Sequence, residues 1–410
     1  MFVETLRDKK LNMKELYKIY NTNLLLLLTA NFVSCFGIGI TQMYSLIYVY
    51  ERTHSNFYAA LQACAIFGSG IVASYLYALR SNHNNLLIVM LVAEICSGIA
   101  AIVMASSTSI YTLYCMLVVI YIFYGFSKPS FQTMLFRLSH DPAHIKNINA
   151  TSSVLYAVAL ALGWLVSPLL FSKISFSGLF TLDAATYFIS GLFIFVLIAK
   201  LREDKQLPLQ SYAIHEGSES RNQLSLFNSY FKPANVFIFV AVLTIVFAAI
   251  NGLEMGIFRS VYHLTDDEIG VFFAIWILAG GIAGLARKIP KVGSYSVKYL
   301  EITTTLLLIS ATLFSYSQNV IIGGILYSFC GFLYIYSDIV SNNYIYSQTM
   351  SSLHPKYFST KNLVTNAVML GSLPVMGYFA DAFSISLTMI ITVLISMFVL
   401  IANKMSIKKI

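Results

Sequence analysis

Twelve apolar segments run through this chain, and its basic residues fall almost entirely on one side of them. The spans cover about 23–49, 56–79, 85–106, 110–135, 149–172, 178–199, 235–258, 269–286, 299–316, 320–346, 362–381 and 384–403. Each is long enough for a helix to cross a hydrocarbon layer about 30 Å thick. With the connections numbered alternately, one side holds both termini and 22 of the 26 lysines and arginines. The other side holds only Arg52, Lys173 and Arg259, and Lys128 lies within a span. The positive-inside rule then places both termini in the cytoplasm. The pattern is that of an all-α, multi-pass membrane protein.

Composition supports this. Hydrophobic residues make up 58% of the chain and charged residues 11%, where soluble domains are about a quarter charged. The net charge of +8 is therefore read as cytoplasmic loops lying against anionic headgroups, and no nucleic-acid partner is expected. The first apolar run follows a mixed-charge stretch and carries no small-residue cleavage site, so it reads as a retained helix. Cys35, Cys64, Cys96, Cys115 and Cys330 all fall within spans at no metal-ligand spacing, so neither disulfides nor a metal is expected. No phosphate loop, dinucleotide fingerprint or Ser/His/Asp arrangement is present. The expectation is a chain that is not an enzyme and needs no cofactor.

The chain contains a duplication. Residues 200–234 form the one long polar stretch, a cytoplasmic linker between a first bundle at 23–199 and a second at 235–403, with short cytoplasmic segments at 1–22 and 404–410. Gln132-Thr133-Met134, then Lys146-Asn147, is echoed by Gln348-Thr349-Met350, then Lys361-Asn362. The glycines Gly68 and Gly70 are echoed by Gly280 and Gly281. The offset is 216 residues for Gln-Thr-Met and 215 for Lys-Asn. Two parallel six-helix repeats form an architecture whose substrate site lies between the halves near the midplane.

The repeat, linker and spacing resemble the major facilitator superfamily. Finer features resemble its drug- and siderophore-exporting branch, which includes macrolide efflux proteins and enterobactin exporters. These features are Lys128-Pro129-Ser130-Phe131-Gln132 closing span four, Asn147 to Ala150 opening span five, and Leu182-Asp183-Ala184-Ala185-Thr186-Tyr187-Phe188 in span six. The resemblance implies twelve transmembrane helices in two pseudo-symmetric bundles, export of a small molecule by alternating access, and a bacterial inner membrane. Two departures weaken the antiporter part of that likeness. The loop between spans two and three keeps only Arg80 of the usual charges, and span five offers Gly163-Trp164 and Ser167-Pro168 in place of its usual glycine pattern.

Ionisable residues at membrane depth remain to be explained, because a charge at the bilayer centre costs about 3 kcal/mol on insertion scales. Asp338 and Glu94 are the candidates for proton coupling. Lys128, Tyr114, Tyr121, Tyr327 and Tyr334 are the candidates for binding substrate. Tyr114, Tyr121 and Lys128 recur at sevens on span four, and Tyr327, Tyr334 and Asp338 share a face of span ten. Each has a structural alternative. Lys128 can snorkel to the headgroups, Glu94 can hydrogen-bond a neighbouring helix, and the tyrosine stripes can be packing. Asp183 and Glu254 read as structural. The expected partners are a small-molecule substrate, protons and the bilayer, with the chain acting as a monomer. An importer of a nutrient, peptide or siderophore, and a membrane sensor or partner subunit that does not transport, stay open beside the exporter.

Overall fold

The computed structural model describes residues 22–79, 85–138, 142–171, 173–203, 234–286, 297–348 and 354–407. The first 21 residues, most of the expected linker, Arg80 and its loop, His140-Asp141, Thr349-Met350 and the last three residues lie outside these. The described residues form twelve long helices. The first half comprises α1 (Thr22–Thr53), α2 (Asn56–Leu79), α3 (Leu86–Ser106), α4 (Ile110–Leu138), α5 (Pro142–Phe171) and α6 (Phe176–Glu203). The second comprises α7 (Ala234–Gly256, continued by a π-helical turn at Ile257–Val261), α8 (Asp266–Ala286), α9 (Val297–Tyr316), α10 (Val320–Gln348), α11 (His354–Ala382) and α12 (Ile385–Ile407). All twelve are long and apolar enough to span a membrane. Helices suit this setting because each satisfies its own backbone hydrogen bonds without water.

The helix starts repeat at a constant interval. Asn56 and Asp266, Leu86 and Val297, Ile110 and Val320, Pro142 and His354, and Phe176 and Ile385 are separated by 210, 211, 210, 212 and 209 residues. The interval of about 216 expected from the Gln-Thr-Met echo is thus corrected to about 210, which places Gln132 opposite Asn342. Those short matches are out of register. Packing repeats as well. α1 lies on α5 and α6 as α7 lies on α11 and α12, α2 on α4 as α8 on α10, and α3 on α4 and α6 as α9 on α10 and α12. Even the sharp α1–α2 and α7–α8 turns match, because His54 and His263 both take positive φ, at 47° and 54°.

α3, α6, α9 and α12 form the outer flanks. Ile95, Ile99 and Ile102 on α3, Leu192 and Phe195 on α6, Ile309 and Leu313 on α9, and Leu394 and Phe398 on α12 are all exposed. In water such faces would be a liability; in hydrocarbon they need no cover. This is a multi-pass membrane protein. Inside the first half the helices come close enough to exclude a side chain. A Cβ on Gly163 of α5 would stand 2.5 Å from the Phe36 carbonyl oxygen and 2.8 Å from Gly39 Cα on α1.

The halves meet through α2 against α11 and α5 against α8, again a repeat-related pair. One apolar core runs across the junction at the end bearing the α1–α2 and α7–α8 turns, where Met43, Ile47 and Tyr50 pack with Ile250, Phe258 and Phe273. Two helices begin earlier than hydropathy indicates. α5 and α11 each start about two turns before their apolar spans, because polar residues such as Ser359, Thr360 and Lys361 fill the first turns of α11. Lys361 therefore belongs to a helix and not to a cytoplasmic loop.

Candidate functional site

Asp338 of α10 faces α11 and forms an ion pair with Lys361, Nζ to Oδ1 2.5 Å. The ammonium also donates to Ser341 Oγ at 2.9 Å and Asn342 Oδ1 at 2.5 Å, and Asn342 Nδ2 donates to Asp338 Oδ2 at 3.1 Å. Asp338, Ser341 and Asn342 are three and four residues apart on one helix, so all of them reach the same neighbour. The pair is lopsided. The Lys361 side chain is 7% exposed and that of Asp338 46%. The carboxylate borders a small cleft with Val240, Leu243 and Thr244 of α7, Tyr334 and Ser341 of α10, and Thr365 of α11. One turn above it, Tyr334 stacks on Phe247 of α7 with ring centroids 4.0 Å apart.

Lys128 of α4 is exposed and points toward α1 and α5. Its ammonium stands 5.9 Å from the centre of the Tyr124 ring and 5.6 Å from that of Tyr156 on α5. Cys35 on α1 is the neighbouring polarisable group. Among the described residues no carboxylate lies within ion-pair distance of it. Two tyrosine faces attract a cation weakly, by about 0.5–1 kcal/mol each where exposed.

These two clusters are images of each other under the 210-residue repeat. Tyr124 and Lys128 map onto Tyr334 and Asp338, and both pairs are separated by four residues, one helical turn. Each faces repeat-related helices, α1 and α5 in the first half and α7 and α11 in the second.

The other expected site residues lie elsewhere. Tyr121 is 4% exposed and Tyr327 1%, both within apolar cores, so neither offers a surface to a ligand. The Tyr327 hydroxyl donates to Glu254 Oε2 at 2.8 Å amid Phe258, Phe273, Trp276 and Phe314. Tyr114 is half-buried, and its hydroxyl donates to the Tyr58 carbonyl of α2 at 2.6 Å. Glu94 is buried inside the first half, where its neighbours Ser34, Ser190 and Gly191 come from α1 and α6. Asp183 accepts from Thr41 Oγ1 and ties α6 to α1. Tyr334, Asp338 and Lys128 remain, joined by Lys361, Asn342, Tyr124 and Tyr156, which sequence reasoning did not single out.

Between this level and the outer turns lies a polar and aromatic layer. Trp164 Nε1 of α5 donates to Gln42 Oε1 of α1 at 3.0 Å, and Gln62 Nε2 of α2 donates to Ser45 Oγ at 3.0 Å. Trp164 also meets Phe273 of α8 edge-on across the halves, with centroids 5.6 Å apart. Above that layer the halves are latched. Asp381, at the end of α11, accepts the backbone N–H groups of Asn56 (2.8 Å) and Phe57 (3.1 Å), the Ser55 hydroxyl (2.5 Å) and Asn56 Nδ2 (3.0 Å). Arg259 joins Glu51 of α1 at 2.8 Å and contacts Asp266 of α8. Toward the opposite end, a Cβ added to Gly70, Gly281, Gly284 or Gly371 would meet no atom within 4 Å. The echoed glycines divide, with Gly280 packing on Ile335 and Gly68 near Leu370, while Gly70 and Gly281 face open space.

No protein-family model and no curated protein matches the chain. Solved structures do. The nucleoside transporter NupG superposes with a TM-score of 0.71 at 14% identity, over 94% of this chain and 99% of that one. The chain has the major facilitator fold. A POT family transporter in complex with 5-aminolevulinic acid gives a TM-score of 0.67 at 14% identity, over 92% of this chain and 94% of that one. A bacterial homolog of the human lysosomal transporter Spinster, in an inward-facing and occupied conformation, gives 0.65 at 10% identity, over 93% and 94%. Shared over nearly whole chains, the major facilitator architecture accounts for the six-plus-six repeat and for the way the halves meet.

Proposed function

We propose that this protein is a secondary active transporter of a small amphipathic molecule, drug-like or siderophore-like, working by alternating access with its site between the halves. The observation that carries this reading is the matched placement of Tyr124-Lys128 and Tyr334-Asp338 at one depth of repeat-related helices, with ionisable groups where an apolar span has no structural need of them. The similar solved structures are transporters by name, which agrees. The latch at Asp381 and Arg259 closes the outer end, and the basic loops orient that end away from the cytoplasm. The state is then inward-facing in the cytoplasmic membrane, with both termini cytoplasmic.

Proton coupling is assigned to Asp338. Its carboxylate is half open to the cleft and paired with a buried ammonium, so taking up a proton releases Lys361 and alters the contacts between α10 and α11. Glu94, enclosed in one half, is the weaker candidate. Export is the proposed direction, on the likeness of Lys128-Pro129-Ser130-Phe131-Gln132 and of the Asp183 segment to exporters. Import by the same machinery is the second reading, since the nucleoside and POT family transporters share this fold.

The test compares small molecules inside cells and in their medium, with the gene deleted, restored, and restored as Asp338→Asn. A compound retained inside the deletion strain and released only with the unmutated copy establishes export and the need for Asp338. A compound left in the medium and depleted inside establishes import. An unchanged pool on both sides favours a protein that has kept the fold without transport.

A further inference from the structure

We infer that the transported molecule is an organic anion, whose negative group supplies the counter-charge that the central site needs in order to close. This rests on the transport reading above and adds the chemical class of the substrate. Three charged side chains occupy the matched levels of α4, α10 and α11: Lys128, Asp338 and Lys361. Asp338 and Lys361 neutralise each other at 2.5 Å. Lys128 has two tyrosine rings and, among the described residues, no carboxylate. The buried acids of its own half sit elsewhere: Asp183 accepts from Thr41, and Glu94 lies within the α1–α3–α6 packing, each keeping one oxygen without a hydrogen bond among the described residues.

The repeat makes the gap plain. Lys361 stands seven residues past the first residue of α11, and the same step of α5 is Asn149; the 210-residue interval gives Thr151 instead. Neither carries charge, so among the described residues the first half has no neutralising partner at this step.

Lys128 is exposed, so water solvates its ammonium in this state. Closing the halves removes that water, and a cation left in a low-dielectric interior is unfavourable without an anion beside it. Exchanging partners does not help. If Asp338 turned to Lys128, Lys361 would be the ammonium left over. The three groups sum to one positive charge under either pairing, and a proton on Asp338 raises the sum. A bound anion cancels it; a neutral or cationic molecule cannot. The rings of Tyr124, Tyr156, Tyr334 and Phe247 form the surroundings. The fitting substrate therefore has a carboxylate or phosphate monoester on a flat apolar or aromatic body. The empty carrier should also close slowly, so that exchange of anions outpaces net flux.

The full-length protein in liposomes tests this with benzoate and phenyl phosphate as probes, and benzamide and benzylamine as neutral and cationic counterparts. Trp164 and Trp276, the chain's two tryptophans, lie beside the aromatic layer, so intrinsic fluorescence reads binding. At least one anion is expected to bind saturably, and the amide and the amine at least about tenfold more weakly, a difference of about 1.4 kcal/mol. Lys128→Gln should weaken anion binding by a similar factor, and Lys128→Arg should keep it within a few-fold. Thermal melting confirms that both variants fold, as the exposure of Lys128 predicts. Equal binding of the amide or amine, unchanged anion binding in Lys128→Gln, or no response to either anion overturns the inference. Failure here is separable from failure of the transport reading. A neutral compound displaced in the deletion strain, and moved equally well by Lys128→Gln, keeps transport and removes the anion.

Discussion

Lys128 and Asp338 stand at the same step of repeat-related helices, each 18 residues beyond the first residue of its own helix, and carry opposite charges. Duplication sets the equal depth, and divergence sets the sign. Asp338 has Lys361 beside it, whereas Lys128 looks onto tyrosine rings. The two halves therefore present similar shapes with unlike electrostatics.

The asymmetry of the Asp338–Lys361 pair predicts unequal costs of breaking it. Asp338→Asn leaves a buried ammonium without its anion, while Lys361→Met leaves a carboxylate that is half exposed and can hydrate. A fully buried pair costs about 3–5 kcal/mol when one partner is removed; with one partner open, about 2 kcal/mol is expected for Asp338→Asn and less for Lys361→Met. The double variant should recover part of the loss. Melting of the four proteins in one detergent completes the cycle. Additive losses would mean that the pair is not coupled.

Much of the fold was legible because hydropathy and loop charge are long-range, redundant signals. Twelve spans and their order follow from them, and α2 was bounded at the same residues as in the structure. The starts of α5 and α11 were missed because polar first turns carry no hydropathy, and that error hid Lys361 in a supposed loop. The site was legible only in part. Tyrosines at sevens from Lys128 share its face, but each step of seven is about 10 Å along the axis. The residue that touches Lys128 is Tyr124, one turn away. Tyr334 was found because the same one-turn spacing was applied to Asp338. Tyr156 comes from another helix, and no spacing within α4 could reveal it.

The latch at Asp381 should hold the outer end shut without holding α2 together. Ser55 already accepts the Tyr58 N–H at 3.4 Å, so it can cap α2 when Asp381 withdraws. Asp381→Ala is therefore expected to fold normally and to shift the population toward an open outer end. Distances between spin labels at Arg52 and Phe383 would lengthen in a large fraction of molecules. Adding Ser55→Ala removes the second cap and should lower stability by about 1 kcal/mol. An unchanged distance distribution in Asp381→Ala would show that Asp381 is not the latch.

Arg259 tests the same closure from the α1–α7 side. Its pair with Glu51 is partly exposed, and such pairs contribute about 0–1 kcal/mol. Arg259→Gln alone should therefore lengthen the outer distances less than Asp381→Ala does. The Arg259→Gln/Asp381→Ala double variant should lengthen them more than either. If Arg259→Gln opens the outer end as far as Asp381→Ala, closure depends on the ion pair rather than on the cap.

Two glycines with opposite surroundings separate packing from motion. At Gly163 a side chain has no room, since a Cβ already falls 2.5 Å from a backbone oxygen of α1, so Gly163→Leu should abolish folding. At Gly281 the same addition meets nothing within 4 Å, and Gly281→Leu should melt within about 0.5 kcal/mol of the parent in the present state. In the proposed alternating cycle the inner end closes in the other half, when space that is free now becomes contact. Gly281→Leu is thus expected to bind ligand yet lose transport by at least about tenfold, with spin-label distances at the inner end locked long. Normal turnover in this variant would mean that α8 stays clear of the first half throughout the cycle, and would place the inner closure on α2 and α11 alone.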